Sequence, residues 1–199
     1  MSSKEKRTAE KQAPKATLSR SVFEYMEIFV FAAVVVILLL TFGFRLCVVD
    51  GPSMNNTLAD GERLLVSDLF YTPKQGDIIV FHQTGEGRNK PIVKRVIATE
   101  GQYIRIDYVE QKLYVSDDEI IDENDLVNES AYVYFNNNRW NSSVALYEDQ
   151  VPEGHLFVMG DNRNDSLDSR SDEIGFVDAR RVLGKVILRV TPFSEFGSV

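Results

Sequence analysis

Ile28 to Phe44 is 17 residues without a charge, bounded by Glu27 and Arg45. No other feature constrains the fold as tightly. A helix that crosses a hydrocarbon layer of about 30 Å needs roughly 17–25 apolar residues, and Tyr25 and Met26 extend this run toward an interface. Within it, Val34-Val35-Val36-Ile37-Leu38-Leu39-Leu40 offers no polar face, which excludes an amphipathic helix packed on a soluble core. A cleaved secretory leader is also disfavoured. Its apolar region is usually about 7–15 residues and ends at small residues, whereas this run ends Arg45-Leu46-Cys47-Val48-Val49.

Charge gives the segment a direction. The first 20 residues hold six Lys or Arg against Glu5 and Glu10. The positive-inside rule therefore places that end in the cytoplasm and everything beyond Leu46 outside. The expected organisation is a cytoplasmic tail over 1–24, an anchor over 25–45 and an extracytoplasmic domain over 46–199. The whole chain of 199 residues carries a net charge of -8, and the tail is basic, so the outer domain is strongly acidic. An acidic domain repels phosphate backbones, and nucleic acid is excluded as a partner. Cys47 is the only cysteine, so no intramolecular disulfide forms. Its apolar neighbours mark it as a packed thiol and not a nucleophile.

Past the anchor, short runs rich in Val, Ile, Phe and Tyr alternate with Gly and Pro turns. They predict strands at 63–67, 77–82, 92–99, 103–107, 112–115, 155–159 and 181–190. No long 3.6-residue period follows the anchor, so the domain is expected to be mainly β, built of coiled antiparallel sheets. Two stretches read as insertions. One is the polar turn 85–90. The other, 117–150, has seven acidic residues between Asp117 and Glu129 and three asparagines at 136–138. That composition buries little apolar area and predicts a solvated surface lobe without chemistry.

Three places carry candidate chemistry. In Ile92-Val93-Lys94-Arg95-Val96-Ile97, alternation puts Ile92, Lys94, Val96 and Ala98 on one face of a strand. A lone cation on an apolar face is desolvated, which lowers its pKa and lets it act as a base. Read by itself, the same lysine is also a snorkelling surface residue. Ser53 follows Gly51-Pro52 in a turn, and it is eight residues from Arg45, a span of at most roughly 26 Å. A nucleophile tethered there suits a substrate in the same bilayer. Read by itself, it is a turn serine. Gly160–Arg170 packs Asp161, Asn162, Arg163, Asp165, Ser166, Asp168 and Arg170 into one loop. An Asp168/Arg170 or Asp161/Arg163 pair is expected to lock it. His82 and His155 stand in separate strands without partners at ligand spacing, so neither a metal nor any other cofactor is expected.

Together, in this order, the three segments resemble the type I signal peptidase family of membrane-bound serine proteases. Ser53-Met54-Asn55-Asn56-Thr57-Leu58 is similar to its Ser-Met-x-Pro-Thr-Leu segment, and Lys94-Arg95-Val96 to its Lys-Arg-Val strand. Gly160-Asp161-Asn162-Arg163, followed by Ser166 and Asp168-Ser169-Arg170, is similar to its Gly-Asp-Asn-Arg…Ser-x-Asp-Ser-Arg segment. The resemblance implies Ser53 as nucleophile, with its backbone N–H in the oxyanion hole, and Lys94 as general base. It implies that Ser166 bonds the lysine amine, that Asp168, Arg170, Asp161 and Arg163 brace the loop, and that Met54, Leu58 and Val93 shape pockets for small side chains. The implied substrates are signal peptides of exported preproteins, cut at small-x-small sites. Asn56 stands where the family has Pro, Gly51 where some members have Ser, and Ala98-Thr99-Glu100-Gly101-Gln102 where Gly-x-Pro-Gly-Asp is usual. The alternatives left open are a pilin-dedicated peptidase or a non-enzymatic pilus or assembly factor of the same architecture. A Ser/Lys self-cleaving regulator is disfavoured by the anchor and the acidic domain.

Overall fold

The computed structural model describes residues 18–83, 90–133 and 144–199. Residues 1–17 of the expected tail, most of the polar turn at 85–90 and the asparagines at 136–138 lie outside the described residues. Two units separate near Phe42.

The first unit is dominated by helix α1, Leu18–Phe42. Its stretch Arg20–Phe42, 23 residues, is long and apolar enough to cross a membrane. At 1.5 Å per residue it spans about 35 Å, more than the roughly 30 Å of a hydrocarbon core. The helix starts earlier than position 25 and ends before 45. At its first turn Arg20 and Glu24 pair across i,i+4, which supports helix beyond the apolar run.

The second unit is antiparallel β, as the alternating sequence predicts. A seven-stranded sheet runs in the order β1 (Arg45–Val48), β2 (Arg63–Ser67), β10 (Val182–Thr191), β3 (Ile78–His82), β4 (Pro91–Thr99), β8 (His155–Met159) and β9 (Val177–Asp178). A three-stranded sheet runs β6 (Lys112–Ser116), β5 (Tyr103–Asp107), β7 (Leu146–Gln150). Among the described residues after Phe42, helix is limited to three-residue 3₁₀ turns.

Strand β4 is central because both of its faces are covered. Val93 packs with Met54, Leu58, Val80 and Val186 in one core cluster. Ile92 and Val96 pack on the opposite side with Ile79, Phe81 and Val158. Alternation therefore holds from Ile92 to Val96. It fails at Ala98, because a bulge in the β4–β8 ladder follows Val96. A bulge inserts one extra residue and re-aims the strand, so Ala98 joins Ile97 in the cluster beneath the small sheet and does not share Lys94's face.

Segment 117–150 is not only a solvated lobe. It contributes β7 to the small sheet, and Val133 and Glu129 are buried.

Candidate active site

Strand β4 carries Lys94 opposite Ile79 of β3. With strands on both sides and packed faces above and below, Lys94 is only 3% exposed. Its Nζ lies 2.7 Å from Ser53 Oγ and donates to Val93 O at 3.0 Å. Desolvation is the largest influence on this amine and pushes its pKa from 10.5 down to about 8. Asp168 and Asp161 pull it upward, and Arg170 adds to the downward push. Burial wins because, among the described residues, the amine bonds only Ser53 Oγ and Val93 O and no carboxylate.

Ser53 is delivered to Lys94 by the turn that Gly51-Pro52 starts. Gly51 has φ +94°, which a residue with a Cβ adopts at a cost. Its N–H donates to Asp60 Oδ1 at 2.8 Å, fixing the turn to the loop beyond it. On the far side Met54 and Leu58 are fully buried, so the segment is held by a hydrogen bond before the serine and by apolar packing after it.

The loop after β8 closes the site. Asn162 N–H donates to Ser53 O at 3.0 Å, and its Nδ2 donates to Pro52 O at 3.1 Å. Gly160 is required by close approach. A Cβ there would stand 2.2 Å from Ser166 Oγ and 2.4 Å from Ser53 O. Its N–H donates to Asp168 Oδ2 at 3.0 Å.

Asp168 also receives Arg170 Nε and Nη2, both at 2.8 Å. Burial alone raises its carboxyl pKa, but the Arg170 bonds and charge, with the Gly160 N–H, hold it below the usual carboxylate range. The expected Asp168/Arg170 pair is therefore present.

Asp161 and Arg163 do not pair with each other. Asp161 accepts from Arg95 Nε at 2.9 Å, Arg95 Nη2 at 2.7 Å and Thr57 Oγ1 at 2.5 Å. One fully buried carboxylate thus ties β4, the Ser53–Leu58 segment and the loop together. Arg163 turns the other way, to Gly160 O at 3.0 Å and to Glu129.

Two further expectations need correction. Ser166 does not bond the lysine amine here; its hydroxyl acts on the Asp168 carboxylate, and the amine's contacts go to Ser53 Oγ and Val93 O. Met54 and Leu58 do not line an open pocket. Both are 0% exposed and Val93 is 8% exposed, so they form the packed layer under the nucleophile segment.

Sequence reading missed Asn162, Thr57, Arg95 and Glu129 as parts of the site. Asn162 and Arg95 were visible as members of the matching motifs. Glu129 carried no signal to set it apart from the six other acidic residues of 117–129. Among the described residues no group of three His, Cys, Asp or Glu is placed to hold a metal.

A buried amine lies against a serine hydroxyl, next to a loop that grips the serine carbonyl, and a proton can pass across such a contact. Comparison with known proteins gives the family. The family model described as "Signal peptidase, peptidase S26" matches residues 22–191. The chain belongs to this family. Signal peptidase I of Bacillus licheniformis is 36% identical over 185 residues, covering 88% of this chain and 91% of that protein. Signal peptidase IB of Staphylococcus aureus is 34% identical over 156 residues, covering 74% and 78%. A crystal structure of a signal peptidase I from Enterococcus faecalis V583 aligns with 58% of this chain and 97% of its own, at a TM-score of 0.41 and 25% identity. As a signal peptidase, the chain is a serine endopeptidase.

Proposed function

We propose that this signal peptidase is a single-pass membrane enzyme that cuts N-terminal signal peptides from exported preproteins, with Ser53 as nucleophile and Lys94 as general base. In this reading α1 is the anchor, its basic N-terminal side is cytoplasmic and the β unit is extracytoplasmic. The observation that carries the mechanism is the 2.7 Å contact between Lys94 Nζ and Ser53 Oγ at a lysine that is 3% exposed.

A lysine with its pKa near 8 is substantially neutral under mildly basic conditions. The neutral amine takes the proton from Ser53 Oγ as that oxygen attacks the scissile carbonyl. The oxyanion is held by backbone N–H donors, that of Ser53 among them. Lys94 returns the proton to the departing amine, leaving an acyl-enzyme on Ser53. Lys94 then takes a proton from water as the water oxygen adds to the acyl carbon, and it hands that proton to Ser53 Oγ as the ester bond breaks, which releases the signal peptide with its new carboxylate and returns Lys94 to the neutral amine.

The other groups have supporting roles. Asn162 fixes the Ser53 carbonyl, Gly160 leaves the room for it, and Asp161 fixes Arg95 beside the base. Asp168 and Arg170 hold the loop that covers Lys94. The extended stretch of substrate ahead of the cut is read as pairing with strand edges, its small residues fitting where bulky ones clash.

The test is cleavage of a labelled precursor with a small-x-small site by the full chain in detergent. Ser53→Ala, Lys94→Ala and Lys94→Arg are expected to abolish cleavage with the fold intact. Arginine keeps the positive charge but cannot shed its proton. Persistent cleavage by Ser53→Ala overturns the assignment.

A further inference from the structure

Two side chains of the 117–133 segment, Glu129 and Tyr132, reach Arg163 and Arg95, although the acidic residues earlier in the segment are largely solvated. Glu129 and Arg163 form a bidentate pair in which the side chains are 5% and 2% exposed. One of its bonds, Arg163 Nη1 to Glu129 Oε2, measures 2.8 Å. Arg163 also donates Nε to Gly160 O. The carboxylate is therefore one guanidinium away from the glycine that touches Ser53 O.

The same turn makes a second contact. Tyr132 N–H and Val133 N–H donate to Glu129 O at 3.1 and 2.9 Å, and the Tyr132 hydroxyl donates to Glu129 Oε1 at 3.4 Å. Glu129 and Tyr132 thus move as one unit. The Tyr132 ring lies 4.1 Å from the centre of the Arg95 guanidinium, within cation–π range. Arg95 is the neighbour of Lys94 and the bidentate partner of Asp161. A third approach comes from the small sheet, where Tyr108, just past β5, lines a cleft with Arg163, Ser166, Asp168 and Arg170.

We propose that Glu129 and Tyr132 are positioning residues of this active site: their turn clamps Arg163 and Arg95 from the small-sheet side and so sets where Gly160–Asp161 holds Ser53 against Lys94. The proposal rests on the Ser53/Lys94 reading and gives segment 117–133 a part in catalysis. Burial is what makes the clamp matter. A guanidinium at 2% exposure that loses its carboxylate must draw in water or move toward solvent. Either response shifts the Gly160 carbonyl it bonds. Displacement of about 1 Å at a reacting pair costs on the order of 100-fold in rate. The groups facing Lys94 whose placement would change are Asp161, Asp168 and Arg170, the charged neighbours that set its proton affinity, and Arg95 and Arg163 behind them.

Glu129→Gln alone strands a buried charge and is at risk of misfolding. The test therefore uses Tyr132→Leu, which removes the ring face at similar bulk, and the double variant Glu129→Gln/Arg163→Gln, which removes both charges together. The full chain in detergent is assayed on a labelled precursor from about pH 6.5 to 10.5, with thermal melting of the same samples. Expected in both variants is a kcat about tenfold or more lower near pH 8, with KM within about twofold. The basic limb of log kcat is expected to move up by about half a pH unit or more, because a loosened loop admits water to the amine and relieves its desolvation. The deficit then narrows at high pH, which a purely structural role would not produce. Variants that melt well above the assay temperature yet keep wild-type kcat and limb overturn the proposal. So does a loss that merely follows the unfolded fraction at every pH. Ser53→Ala separates the two levels: if it still cuts, the dyad falls and the clamp with it, whereas an inactive Ser53→Ala beside wild-type-like clamp variants removes the clamp alone.

Discussion

Lys94→Met is expected to make this protein more stable at pH 7 while destroying its activity. The folded chain holds the lysine at a pKa near 8, against 10.5 for an unburied lysine. At 1.36 kcal/mol per unit, keeping Lys94 protonated in the fold at pH 7 costs about 3 kcal/mol. Methionine has similar length and removes that cost. It also removes the contacts to Ser53 Oγ and Val93 O, worth about 1 kcal/mol net each. The balance is a gain of about 1 kcal/mol, or roughly 2–4 °C in melting temperature for a unit of this size. Between pH 8 and 10.5 the unfolded chain keeps the proton that the folded chain has shed, so wild-type stability rises with pH across that window. The gap between variant and wild type must therefore close as pH rises toward 10.5. Calorimetric melting of both proteins in the same detergent from pH 6.5 to 10.5 reads this directly. A variant that is less stable at pH 7, or a gap that does not shrink with pH, refutes the argument that burial sets the amine's proton affinity.

Other consequences follow from the same geometry. Asp161→Asn breaks the charge pairing of Arg95, whose side chain is 12% exposed against a carboxylate at 0%, and is expected to destabilise the fold by about 3 kcal/mol in thermal melts. Gly160→Ala places a methyl 2.2 Å from Ser166 Oγ and 2.4 Å from Ser53 O, so kcat is expected to fall at least about 100-fold, with a stability loss of about 1–3 kcal/mol. Asn162→Ala loses the bond to Pro52 O at an exposed position but keeps its backbone bond to Ser53 O, so steady-state assays are expected to show only about a severalfold drop in kcat.

Much of the fold was legible because strands with one or two buried faces must be rich in apolar and β-branched residues. The seven strands expected from that pattern are present with small changes in their ends. The three missed strands lacked the signal. In β1, Arg45–Val48, the apolar residues read as the tail of the membrane run. In β7, Leu-Tyr-Glu-Asp-Gln is mostly exposed, so it carries no alternating apolar pattern and its pairing comes from the neighbouring strand. β9 has two residues.

At the site, the meeting of Ser53 and Lys94 was legible because motif and strand alternation pointed to the same two residues. The partners of the loop charges were not. Asp161 and Arg163 are two apart in sequence, which suggests a local pair, but the close turn sends one toward β4 and the other toward Glu129. Which of seven acidic residues meets a buried arginine is decided by the packing of the small sheet, and a single sequence does not encode that in any local pattern.

The account stands on one proton moving from Ser53 to a neutral Lys94. The most direct measurement is the pH dependence of single-turnover precursor cleavage by the full chain. The rate is expected to climb about tenfold per pH unit below about pH 8 and to level off above it, in line with the lowered lysine pKa. A rate that stays flat from pH 6 to 10, or a limb that appears only near the ordinary lysine value, contradicts it.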